Sequence, residues 1–249
     1  MAIRIVRLGA QPLTAVMDAL SHSDVVLDAR AMRLDWSRGD WGLIATRTPR
    51  AVVLCLDADV ASGHDHAHGD GAHARAIGTL RDVGSAGLNV IVTTTITRSN
   101  ARSAMGIAAE LTRARVAAWS LSLAQAEDAA AAVRLPSLGV AMPHVLRGAD
   151  AAGRTGIEVC LRGFPRCVLG PYARWAIATA AEAHGVPCDD CTARRGCPGL
   201  APSHRERFGA RELRHLDVAP AEARSPTRDA LRATLLALDD EAPARTSAD

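Results

Sequence analysis

The sequence has no lysine: all 29 of its basic residues are arginine. That removes Schiff-base chemistry and the phosphate-binding lysine of a P-loop, since arginine keeps its proton and cannot substitute as a compact amine. Aromatic residues are scarce at 3%, and the 27 acidic residues nearly balance the basic ones. The chain therefore advertises neither a base-stacking platform nor a phosphate-neutralising surface, and nucleic acid is not an expected partner. No apolar run reaches the roughly 18 residues of a membrane span. The opening MAIRIVRLGAQPL lacks the apolar core and small-residue cleavage site of a signal peptide. The expected location is the cytoplasm, with no membrane partner. In that reducing compartment, six unevenly spread cysteines point to metal ligation ahead of disulfides.

What is present is enough apolar material, 48% of 249 residues, for one large core or a core with a small appendage. Short β-branched runs at 3–8, 24–29, 51–57, 89–97, 116–122 and 156–161 read as strands. Between them, Pro12 to Ser21, His73 to Ala86, Asn100 to Arg113 and Ala124 to Val133 carry apolar residues at helical spacing, with Asn100 placed as an N-cap. Continuously apolar strands alternating with helices imply parallel pairing buried on both faces. The expected class is α/β: a partial (β/α) TIM-like barrel or an open parallel sheet, with a small Cys-rich metal-binding C-terminal module. The body is expected over 1–163 and the module over 164–216, including a helix from Pro171 to Ala183. Residues 217–249 should hold a helix starting near Ser225 and Pro226, then a disordered polar tail, PARTSAD.

Cys188-Asp-Asp-Cys191, five residues and Cys197 form a C-x2-C-x5-C pattern. Two thiolates one turn apart can grip one metal while the third closes the site, and both iron–sulfur clusters and zinc are served by four such ligands. Cys167, in GFPRC, is the expected fourth ligand, with Cys160 as the alternative. Cys160 also reads as a small buried side chain within a strand, and Cys55 reads as plain core. The segment from Gly185 to Leu200 is too poor in apolar residues to build its own core, so a metal staple is the natural substitute.

His64, Asp65, His66, His68, Asp70 and His73 fall within ten residues, in and just after the loop expected beyond the third strand, 57–71. Imidazole and carboxylate suit zinc, nickel or iron, which would make a metal-dependent hydrolase. The plainer reading is a solvated polar loop lining a cleft. Asp57 and Asp59 read as loop hydrogen-bonding groups or as a general base. Trp119 and Trp175 read as core or rim packing.

GFPRC, CDDC, GCPGL and HRERFGARELR, taken together, resemble the C-terminal end of radical S-adenosylmethionine (SAM) enzymes with a SPASM or twitch extension. Phe208, Gly209, Glu212 and Leu213 stand in the closing F/Y-G-x-x-E-L element. Upstream, RLGAQPL resembles the family's GGEPLL strand end, VVLCLDAD and GHDHAHGDG its next strand and loop, and VIVTTTITRSN the one after. The resemblance runs in order over most of residues 3 to 213. It implies a radical-SAM-like partial barrel, an auxiliary [4Fe–4S] cluster on Cys167, Cys188, Cys191 and Cys197 (zinc as the alternative metal), and a SAM-pocket element at Gly9 and Gln11. The family's C-x3-C-x2-C motif is not in the sequence, which reads as starting at the family's second strand. Gln11 also stands where the family has a glutamate facing the methionine ammonium, and Ala10 adds a methyl where the backbone should approach closely. SAM is thus not expected to bind to this chain alone. The resemblance implies a catalytically incomplete subunit or accessory partner of a radical SAM enzyme, or of a separate chain carrying the missing cluster, acting on a peptide or small metabolite. A zinc-stabilised binding or scaffold protein on the same fold is the alternative.

Overall fold

The β-branched runs do become strands. The computed structural model describes residues 3–9, 11–20, 24–31, 36–177, 184–220 and 225–240. In chain order they form β1 (Arg4–Arg7), α1 (Leu13–Ala19), β2 (Val25–Asp28), α2 (Arg38–Ala45), β3 (Ala51–Cys55), α3 (Ala61–His68), α4 (Ala72–Ser85), β4 (Val90–Ile96), α5 (Ala104–Arg113), β5 (Ala118–Leu123), α6 (Ala129–Ala132), α7 (Leu138–Arg154), β6 (Glu158–Arg162), β7 (Ala176–Ile177), α8 (Pro202–Phe208) and α9 (Pro226–Asp240). The seven strands follow the order β1-β2-β3-β4-β5-β6-β7 in one sheet. Each strand pairs with its predecessor, so the sheet is singly wound, without the reversal of strand order that makes a switch-point crevice in doubly wound folds. Of the two architectures the sequence allows, this is the open parallel sheet.

The chain divides into two compact units. The first takes residues 1–55, 74–92 and 224–249. Here β1 pairs with β2 and β2 with β3, all parallel, with Val26 opposite Ile5 and Ala51. Every residue of β2 is buried, as its unbroken VVLD run requires. A capping box starts α2, in which Ser37 and Asp40 exchange side-chain and backbone hydrogen bonds. Arg50 ties α9 down by donating to Thr234 Oγ1 (3.3 Å) and pairing with Asp24 (3.2 Å).

The second unit takes residues 56–73 and 93–223. β5 pairs with β6 and β6 with β7, again parallel. A buried chain of hydrogen bonds runs through its core: Trp119 Nε1 donates to Thr94 Oγ1 (2.8 Å), which donates to the Leu56 carbonyl (2.7 Å). Trp119 is thus core, and Trp175 lies across α7, where a Cβ on Gly153 would sit 3.0 Å from its ring. Helices α5 and α7 cross closely because Gly148 has no side chain; a Cβ there would meet the Ala104 carbonyl oxygen at 2.6 Å.

Several expectations need correction. The helix expected over Ala124–Val133 is confined to Ala129–Ala132, because Asp128 caps it by accepting from Ala131 N, while Ala124 N and Ala126 N are spent on Ile96 O and Ser203 Oγ. The helix expected from Pro171 is a 3-10 turn, Gly170–Trp175, followed by β7, which completes the open edge of β6; residues 178–183 lie outside the described residues. Asn100 does not cap the helix with its side chain. It folds back instead, accepting from Thr97 N (2.8 Å) and donating to Thr95 O (2.8 Å). The expected loop 57–71 contains α3. The PARTSAD tail and Ala10 also lie outside the described residues, whereas the helix expected from Ser225 and Pro226 is α9.

Candidate metal centre

Strand β6 ends at Arg162, and Gly163, in the left-handed region at φ 71°, turns the chain into Phe164 and Pro165. The 3-10 turn Arg166–Val168 then presents Cys167. A second 3-10 turn, Val186–Cys188, ends on Cys188, and Cys191 N donates back to the Cys188 carbonyl at 3.3 Å. A third, Arg194–Gly196, leads directly into Cys197. Three separate turns therefore deliver the cysteines of the C-x2-C-x5-C run and the one in GFPRC.

These turns are tied together. Arg166 N donates to Cys197 Sγ at 3.4 Å, and Arg214 N donates to Cys167 Sγ at 3.4 Å. Thr192 donates through both its N–H (3.1 Å) and its hydroxyl (2.7 Å) to the Leu216 carbonyl, which holds the segment after Cys191 against the 214–216 stretch. The thiol of Cys167 is pushed above its ordinary value, first by burial and then by its neighbours Cys197 and Cys188, with the Arg214 N–H pulling the other way. The fold thus brings Cys167, Cys188 and Cys197 into one electrostatic neighbourhood, with Cys191 one turn away. Cys160 is fully buried in β6 opposite Ser120, which fits a core side chain.

Among the described residues, no three of the module's sulfurs lie within 4.8 Å of one another. A tetrahedral zinc with Zn–S bonds of about 2.3 Å would need sulfurs about 3.8 Å apart. A four-iron cluster takes its thiolates on separate irons and so at wider spacing. Four thiols, with N–H groups aimed at two of them, are a donor set whose chemistry suits either group.

Glu212, noted in the sequence only as part of a closing motif, proves to be the clasp of this module. Its Oε1 accepts from Ser137 Oγ (2.9 Å) and Gly139 N (3.0 Å), and its Oε2 faces His204 Nε2 at 3.1 Å. The carboxylate thereby caps the N-terminus of α7, whose own N-cap Ser137 makes no side-chain cap. Burial would raise the Glu212 carboxyl, but the Gly139 amide, His204, the Ser137 hydroxyl and the Leu138 amide outweigh it and hold the group below its usual range.

Most of the histidine segment is exposed, as the solvated reading expects, but it is helix and draws one ring inside. His64 is only 3% exposed, and its Nδ1 accepts from Asp57 N at 3.1 Å, which places the imidazole proton on Nε2. Burial, then the neighbouring His68, depress its pKa to about 4. Asp57 is the hub: Oδ1 accepts from Thr95 N (2.7 Å) and Oδ2 faces His68 Nε2 (2.8 Å), which raises the His68 pKa. Asp65 accepts from the Gly71 and His73 amides and shapes the turn that follows α3. The loop hydrogen-bonding reading of Asp57 is therefore the observed one. Cys55, read as plain core, is half-buried.

Gly9 and Gln11 follow β1. Gln11 is exposed, and a Cβ on Gly9 would meet nothing within 4 Å, so the surrounding protein does not itself demand glycine there. Sequence reasoning missed Arg166, because nothing in the string GFPRC says that its arginine is buried.

Among the described residues, no helix is long and apolar enough to cross a membrane. No protein-family model matches the chain, and no curated protein matches it. Among solved structures, a radical SAM methyltransferase from Sphaerobacter thermophilus is similar at a TM-score of 0.38 and 15% sequence identity, over 60% of this chain and 42% of that one. The match spans less than half of the methyltransferase's length, and a likeness of that size carries no argument for this chain.

Proposed function

We propose that this chain is an iron–sulfur protein that binds a [4Fe–4S] cluster through Cys167, Cys188, Cys191 and Cys197 and serves as an accessory partner to radical SAM chemistry on a peptide or small metabolite. The observation that carries the reading is the convergence of three separate turns on one cluster of thiols, two of which already receive backbone N–H groups. Hydrogen bonds to sulfur stabilise the thiolate form that a metal requires. When bound, a cluster there would supply one-electron transfer or an iron that orients substrate. The chain's own part is to hold the ligands on short turns and to clasp the module to α7 through Glu212. The cluster that cleaves SAM would come from outside these 249 residues, since they contain no C-x3-C-x2-C and Gln11 carries no charge for the methionine ammonium.

Purification under strict anaerobiosis tests the reading. The expected product is brown, absorbs broadly near ~400 nm and carries four irons per chain. Colourless protein carrying one zinc would refute it and support the scaffold reading. Equilibrium dialysis with radiolabelled SAM should show no retention by the isolated chain.

A further inference from the structure

We infer that Arg166 is a positioning residue that raises the reduction potential of the group held by the four cysteines, by fixing a buried positive charge between two of the ligand-bearing turns. The inference rests on the cluster reading above. Arg166 immediately precedes Cys167 in the chain, and its own N–H donates to Cys197 Sγ at 3.4 Å. Its side chain does not extend into water: the residue is 4% exposed, and Nε donates to the Gly196 carbonyl at 2.7 Å. The guanidinium packs against Gly196, where a Cβ would come within 3.0 Å of Nη2 and 3.2 Å of Cζ. Residue 196 is thus glycine because the arginine occupies the space of a side chain, and the cation is locked beside the residue that carries Cys197.

The physical consequence follows from charge. A guanidinium keeps its proton at any physiological pH, so this is a permanent cation. Four thiolates around an oxidised four-iron core carry net negative charge. Accepting one electron adds one more negative charge, with no bond made or broken and no proton required. A fixed cation stabilises the more negative state more, so it moves the potential upward; net charge and hydrogen bonding to the sulfurs are the main controls on such potentials. The other arginines of the module, such as Arg194, Arg205 and Arg214, are exposed and screened by water and salt, so they exert less of this effect.

The test is spectroelectrochemical titration, with dithionite as the one-electron donor, of anaerobically purified full-length wild type, Arg166→Gln and Arg166→Lys, with iron content measured alongside. Arg166→Gln should titrate at a clearly more negative midpoint. Arg166→Lys, which keeps the charge but cannot reproduce the packing on Gly196, should lie between the two. Equal midpoints for iron-loaded wild type and Arg166→Gln would overturn this inference and leave the cluster reading standing. Wild type without iron would overturn both. If Arg166→Gln loses its iron, the lysine variant decides: retention of iron and of a near-wild-type midpoint supports the charge, whereas equal iron loss in both variants assigns Arg166 a purely structural role and refutes the inference.

Discussion

Replacing Glu212 by alanine should destabilise the second unit more than any other single change on the surface of the cysteine module. The substitution strands three donors at once: the Ser137 hydroxyl, the Gly139 amide and His204 Nε2. His204 is completely buried, so water cannot replace the lost acceptor without a rearrangement. A buried donor left unsatisfied costs about 1–3 kcal/mol, and loss of an N-terminal cap about 1 kcal/mol. Because Ser137 and Gly139 lie where solvent can reach them, their share is at the low end, and the total should be about 3–4 kcal/mol. Glu212→Gln keeps one carbonyl acceptor, loses the charge at the helix N-terminus and should cost about half as much. Urea unfolding followed by tryptophan fluorescence measures the loss, and hydrogen exchange at the Gly139 amide localises it. The pH dependence has a definite sign. The folded-state carboxyl lies below its usual value, so its contribution is complete above about 4.3 and disappears as pH falls through the folded-state value. The gap between wild type and the glutamine variant should therefore narrow in acid. An alanine variant within 0.5 kcal/mol of wild type, on the scale of ordinary surface changes, would refute the clasp.

Four further outcomes follow from the same contacts. Gly148→Ala should gain about 1 kcal/mol from helix propensity, but the 2.6 Å approach to the Ala104 carbonyl reverses the sign, and thermal denaturation should show a net loss of about 1–3 kcal/mol. Cys167→Ala should abolish metal loading, whereas Cys160→Ala should leave metal content unchanged and lower stability modestly, as metal analysis beside urea melts would show. In NMR titrations His64 should remain neutral down to about pH 4, while His68 should titrate above its ordinary value and drop on Asp57→Asn. Because the unfolded chain protonates first, the stability that neutral His64 provides should be complete above about pH 6.5 and decline as acid is added, towards the folded-state value. Trp119→Phe removes the donor that holds Thr94 Oγ1 and should cost about 1–2 kcal/mol in the same melts.

The parts legible in the sequence are those in which one local rule dominates. VVLD, AVVLC and VIVTTTI are strands because β-branched residues buried on both faces have no competing period. The C-x2-C-x5-C spacing is equally plain, because it is a pattern of residue types that needs no fold to be seen. Leu138–Arg154 was not read as a helix because Pro143 and the glycines at 139, 148 and 153 depress its propensity. It forms because Gly148 permits the close crossing with α5 and because Glu212, some seventy residues later, supplies the cap that Ser137 does not. In the histidine segment, the helix and the burial of His64 are hidden for a related reason. Its residues look solvated one by one, yet Asp57 collects an amide from β4 and a ring from α3 and draws His64 inside.

Both cases involve charged groups that work at long range in sequence, and this bears on how the module is held. Cys167 and Arg166 belong to the end of β6, the remaining cysteines lie at 188–197, and the clasp comes from residue 212 and reaches back to the start of α7. Since β6 follows α7 directly in the parallel sheet, the clasp and the first cysteine act on the two ends of one helix-to-strand unit. Metal binding at the cysteines should then stiffen the Glu212 contacts, and loss of Glu212 should weaken metal retention. Competition with a chelator distinguishes this from an independent module: Glu212→Ala should release metal faster than wild type, and equal release rates would show that the cysteine turns hold their metal without help from α7.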